Sequence, residues 1–133
     1  MKSVLLDTNA YVRFLRGDEK VMGCLARADT VYMSVFVLGE LFAGFKAGRK
    51  EKGNQQLLER FLLKPTVGVL DATMDTADIF GFIMASLRKS GTPIPINDVW
   101  IAAQCLETGS LLVTYDNHFA QIPGVRLWDE AGD

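Results

Sequence analysis

Four acids, Asp7, Glu40, Asp98 and Asp116, stand where an acid is out of keeping with its neighbours. Asp7 closes the apolar run Val4-Leu5-Leu6. Glu40 interrupts the apolar stretch from Val35 to Phe45. Asp98 opens the segment Val99-Trp100-Ile101-Ala102-Ala103, and Asp116 follows Leu111-Leu112-Val113-Thr114-Tyr115. An acid beside a core costs free energy unless something compensates its charge. For several acids together, that something is usually a divalent cation. If the four converge, the chemistry is metal-assisted attack on a phosphodiester. Each acid also has a plainer reading: Asp7 as a helix cap, Asp98 or its neighbour Asn97 as another, Asp116 as a loop acid, Glu40 as a solvated side chain. The joint pattern is stronger than any member. Without a cation, four clustered acids repel, so at least one should titrate above the ordinary carboxylate value.

Other candidates weigh less. Asp71 also ends an apolar run, but Asp71-Ala72-Thr73 reads as a turn into a helix. His118 is the only histidine and lies two residues past Asp116; it reads as a surface or structural side chain, with contact to a phosphate as the other use. Trp100 and the phenylalanines read as core or interface residues. Cys24 and Cys105 read as reduced, buried thiols, at a spacing that makes no metal motif. The chain has no Gly-rich phosphate loop, no Gly-x-Ser-x-Gly and no Cys-His pair.

The acids are carried by an alternation of short strands and helices. Strands are expected at Ser3–Leu6, Val31–Ser34, Val67–Leu70, Leu111–Thr114 and Val125–Trp128. Helices are expected at about Ala10–Leu15, Glu19–Ala28, Val35–Lys46, Arg49–Leu63, Asp75–Lys89 and Asn97–Glu107, the last ended by Gly109. Such alternation implies parallel pairing and a three-layer α/β/α sandwich with about five strands. Ligands of such sheets bind beyond the carboxyl ends of the strands. Asp7 and Asp116 fall there, and Asp98 begins the helix that feeds the fourth strand.

The 133 residues suit one domain, 1–133, large enough for a hydrophobic core. Apolar residues make up 49% and charged ones 23%, which excludes a disordered chain. No apolar stretch reaches the roughly 20 residues of a spanning helix, and no secretory leader is visible. A soluble cytoplasmic protein is expected. The net charge of −2 argues against binding to polyanions through bulk charge. Local clusters would have to do that work: Arg13, Arg16 and Lys20; Lys46, Arg49, Lys50 and Lys52; Arg88 and Lys89. The helix Val35 to Phe45 and the stripe Leu57, Leu58, Phe61, Leu62 carry more apolar surface than one small sandwich needs. That surplus predicts a homodimer and a groove for an amphipathic partner segment.

Four segments together resemble the PIN domain, most of all the VapC toxins of bacterial and archaeal toxin–antitoxin pairs. They are Leu5-Leu-Asp7-Thr-Asn9, Ser34-Val-Phe-Val-Leu-Gly-Glu40-Leu-Phe-Ala-Gly44, Gly91-Thr-Pro-Ile-Pro-Ile-Asn-Asp98-Val-Trp-Ile-Ala-Ala103, and Leu112-Val-Thr114-Tyr-Asp116-Asn-His118-Phe119. The likeness covers nearly the whole chain, in order. It implies that Asp7, Glu40, Asp98 and Asp116 bind Mg²⁺ or Mn²⁺, with Thr114 as the family's small hydroxylic residue. It implies a metal-dependent endoribonuclease, the toxin of a type II pair, with RNA as substrate and a cognate antitoxin as partner. Two other readings exist. One is a catalytically silent PIN-like module that binds RNA or protein. The other is an acid-pocket phosphatase, which would want a second Asp where Asn9 stands.

Overall fold

The computed structural model describes residues 2–128. Its elements are β1 (Ser3–Leu6), α1 (Thr8–Leu15), α2 (Glu19–Arg27), β2 (Thr30–Ser34), α3 (Val35–Ala47), α4 (Glu51–Leu62), β3 (Val67–Leu70), α5 (Met74–Ser90), α6 (Ile96–Thr108), β4 (Leu111–Val113) and β5 (Arg126–Leu127). A 3-10 turn, Asn117–Gln121, separates β4 from β5 and has no counterpart among the elements expected from the sequence. The strands form one sheet in the order β3-β2-β1-β4-β5. All four pairings are parallel, as the alternation of strand and helix requires.

β1 is the central strand. Val4 pairs with Val31 on one side and Leu111 on the other. A strand covered on both faces needs an unbroken apolar run, and Val4, Leu5 and Leu6 are all fully buried. Truncating Leu5→Ala should cost about 3 kcal/mol. The readout is a lower urea midpoint with an unchanged slope. The helices pack through aromatic contacts as well. Trp100 of α6 stacks on Phe36 of α3 at 5.1 Å and on Phe80 of α5 at 3.9 Å. That locks three helices together and agrees with Trp100 as a core residue. Cys24 and Cys105 are buried. No helix among the described residues is long and apolar enough to cross a membrane.

Three local expectations need correction. First, α6 starts at Ile96, so neither Asn97 nor Asp98 caps it. Pro95 precedes the first turn, and its carbonyl accepts from the Asp98 and Val99 amides. Proline fixes φ near the helical value, so the turn begins there without a side-chain cap. Second, α1 starts two residues early because Asp7 does cap it, accepting from the Ala10 amide at 2.8 Å. Third, much of the apolar surplus is absorbed. Val37, Leu38, Leu41 and Phe45 of α3, and Leu58 and Phe61 of α4, are buried. Phe42 and Leu57 remain exposed, while Met74 and Phe82 of α5 are far more open, at 88% and 64%.

Candidate active site

From β1 the chain steps outward through β2 to β3 on one side of the sheet, and later through β4 to β5 on the other. The gap between β1 and β4 is the switch point, where neighbouring crossovers diverge and leave a crevice. Asp7 follows β1 and Thr114 follows β4. The two strand ends are joined by the Asp7 amide donating to the Val113 carbonyl at 3.2 Å.

Asp7 is 5% exposed and its two oxygens have separate partners. Oδ1 accepts from the Ala10 amide, and Oδ2 accepts the Thr114 hydroxyl. The Thr114 oxygen in turn accepts from the Asp116 amide at 2.9 Å. One threonine thus ties the first acid to the backbone of the fourth. The Thr114 carbonyl accepts from the indole of Trp128 at 2.6 Å, which anchors this turn to the chain beyond β5. Glu40 accepts the hydroxyl of Thr8, the residue after Asp7. It lies on the exposed side of α3, so the apolar neighbours that made it conspicuous in sequence point elsewhere. Asp98 Oδ2 lies 2.7 Å from His118 Nε2, and His118 Nδ1 lies 3.3 Å from Asp116 Oδ1. The candidate ligand atoms of Asp98, Asp116 and His118 all fall within 4.8 Å of one another. The structure therefore sets Asp98 and Asp116 around His118, while Asp7 and Glu40 lie outside that group and are near enough for their charges to act, Asp7 with Asp98 and Asp116 and Glu40 with Asp98. The sequence signal for His118 was its spacing. A 3-10 turn starting at Asn117 swings it back over Asp116.

The sequence from residue 4 to residue 125 matches the family model of the PIN domain. The chain belongs to the PIN-domain family. This PIN domain is 31% identical to ribonuclease VapC4 of Mycobacterium tuberculosis, over 71% of this chain and 73% of that protein. It is 28% identical to the tRNA(fMet)-specific endonuclease VapC of Salmonella typhimurium, over 97% of this chain and 98% of that protein. Its fold superposes on the DNA-bound VapBC structure from Salmonella typhimurium with a TM-score of 0.87 and 28% identity, covering 98% of this chain and 99% of the other.

The electrostatics of this PIN domain follow from its burial. The Asp7 carboxyl is held above its ordinary value, chiefly because burial penalises its charge. The Thr114 hydroxyl and the Ala10 amide oppose that, and the charges of Asp116 and Asp98 add to it. Asp98 is raised too, again first by burial. The hydrogen bond and charge of His118 oppose the shift, and Glu40 and Asp116 reinforce it. Desolvation leads and repulsion follows, the reverse of the emphasis drawn from sequence. His118 is the basic side chain that offsets Asp98. Partly buried carboxylates that repel one another are a donor set suited to a hard divalent cation. These raised values mean that the ionised forms weaken the fold. The stability the two groups allow is fully present below their unfolded pKa and is lost as pH rises through the folded one. Replacing Thr114→Val removes a donor that holds Asp7 down. Asp7 should then titrate at a still higher pH, read by the carboxyl carbon shift in an NMR titration. An unmoved Asp7 midpoint would count against the Thr114 contact.

Proposed function

We propose that this chain is a divalent-metal-dependent endoribonuclease, the toxin of a type II VapBC-like toxin–antitoxin pair, acting on RNA in the cytoplasm. The observation that carries it is the placing of Asp7 and Asp116 at the switch point of a parallel sheet, with Asp98 near enough to act on Asp7 and Glu40 near enough to act on Asp98. The names of its relatives support the reaction class, and the VapBC structure supports an antitoxin partner. Asp98 and Asp7 would hold the ion, Mg²⁺ or Mn²⁺. The chemistry supplied by a divalent ion bound there would be activation of water for in-line attack and offset of charge on the phosphate and the leaving oxygen. Asp116 and Glu40 complete the donor set or accept the proton. Glu40 and Asp116, the more exposed acids, are open to exchange protons with solvent.

RNA would reach the acids past a polar cleft of about 370 Å³ lined by Asn9, Arg13, Arg16, Tyr115 and Asp116. Arg13 lies over the Tyr115 ring at 4.0 Å, and Asp18 braces both: its carboxylate is 3.8 Å from the guanidinium and accepts the Tyr115 hydroxyl. A guanidinium so held is pre-ordered to meet a phosphate. Arg13→Ala and Arg16→Ala should each weaken RNA binding by about 1.5 kcal/mol, roughly tenfold. KM should rise with kcat little changed, and the slope of log affinity against log salt should fall by about 0.7 per arginine. An unchanged salt slope would take that cleft off the RNA path. Exposed Met74 and Phe82 of α5, with the groove of Met84, Leu87, Pro93 and Ile94, supply the apolar surface for a homodimer and for the antitoxin.

The direct test is cleavage of a tRNA pool by purified protein, with Mg²⁺, with Mn²⁺ and with chelator. Discrete fragments are expected only with metal. Retention of intact RNA under every condition would favour the silent binding module, and neither binding nor cleavage would overturn the reading.

A further inference from the structure

Carboxylates alone do not choose between Mg²⁺ and Mn²⁺, since oxygen donors suit both. His118 can choose. Its Nε2 lies 2.7 Å from Asp98 Oδ2. Two adjacent ligands about 2.1 Å from an octahedral ion lie about 3 Å apart. The nitrogen and the oxygen are therefore spaced as neighbours in one coordination shell. The other ring nitrogen, Nδ1, lies 3.3 Å from Asp116 Oδ1. A carboxylate on the far nitrogen is the usual support of a metal-bound imidazole: it fixes the tautomer and aims the ring. The side chains of Asp98, His118 and Asp116 are 18%, 29% and 43% exposed, so the group is open to an ion from solvent.

We infer that His118 is a nitrogen ligand of the metal, through Nε2 beside Asp98 and with Asp116 orienting its ring, and that the site therefore favours Mn²⁺ over Mg²⁺. This rests on the proposed metal-dependent function. The physical reason is ligand preference. Mg²⁺ takes oxygen donors and parts reluctantly with its waters, whereas imidazole suits first-row transition ions. The competing account is a histidine that only hydrogen-bonds Asp98, with Asp116 beside its other nitrogen, and leaves the ion an all-oxygen shell.

The test needs no RNA. Tag-free protein loaded with one equivalent of Mn²⁺ is examined by electron spin-echo envelope modulation for directly bound ¹⁴N. His118 is the only histidine, so a strong nitrogen coupling has one source. The coupling should be present in the wild type and absent in His118→Ala and His118→Asn. Calorimetric titration should give Mn²⁺ an affinity at least about tenfold above that for Mg²⁺. His118→Ala should lose about ten- to a hundredfold in Mn²⁺ affinity and less than about threefold in Mg²⁺ affinity. Bound Mn²⁺ that depends on Asp98 but shows no nitrogen coupling in the wild type would overturn this inference and leave the metal site standing. Mn²⁺ that fails to bind, or binds equally well after Asp98→Asn, would overturn both.

Discussion

Asp98→Asn should abolish RNA cleavage and leave the fold intact. A lost ligand carboxylate removes charge that a hard cation requires, and the expected fall in rate is about a hundredfold or more at fixed metal. Stability should not fall with it. Asp98 does not cap α6, whose first turn has no side-chain cap. Asn keeps an oxygen that can accept from His118 Nε2. The Asp98 pKa is raised, mainly by burial, so its charged form opposes folding. Above the folded pKa, removing that charge should leave the melting temperature equal or higher, and at low pH the difference should vanish. Single-turnover cleavage and thermal melts at two pH values read the two effects separately. Cleavage at the wild-type rate by metal-saturated Asp98→Asn would remove Asp98 from the mechanism. The sequence alone suggests the same behaviour for Asp7→Asn, but the geometry separates the two. Asp7 takes a cap hydrogen bond on one oxygen and the Thr114 hydroxyl on the other. An amide NH₂ in place of Oδ2 would face a hydroxyl that already donates there, so Asp7→Asn should lose about 1–2 kcal/mol of stability along with activity.

The second large effect is stabilisation by metal. Folding brings four carboxylates together, and burial charges the fold a further cost for ionising Asp7 and Asp98. An ion that binds only the folded chain relieves that cost. At a hundred times its Kd it adds about 2.7 kcal/mol. For a domain of this size that is roughly 10 °C in Tm. The gain should be largest at neutral pH and fade as the pH falls through the raised pKa values, because protons then compete with the ion. Melts with Mg²⁺ or Mn²⁺ against chelator, repeated at neutral and acid pH, measure it. No shift at millimolar metal would argue against a formed site. A shift in Asp98→Asn equal to that of wild type would place the ion elsewhere.

The periods of apolar residues are local properties, and they were enough to locate β1, α5 and the parallel α/β class. Val4-Leu5-Leu6 reads as a strand, and the structure buries it completely. The acids were legible for the same reason: an acid at the end of an apolar run is conspicuous wherever the chain later goes. What the sequence could not supply was neighbourhood. Strand order is set by which crossovers pack, and it alone makes β1 and β4 adjacent, so that Thr114 can join Asp7 to Asp116. Glu40 stood out for its apolar neighbours along the chain, yet it lies on the exposed side of α3, because a helix turns residues adjacent in sequence to different faces. Asp98 reads as a cap in sequence, but Pro95 begins the turn. His118 is the clearest case. Its 3-10 turn and the packing of α6 place one imidazole between two carboxylates eighteen residues apart in sequence. Residue types determined what chemistry was available; only the tertiary structure decided which side chains share it, because contact between distant residues is a property of packing and leaves no local trace.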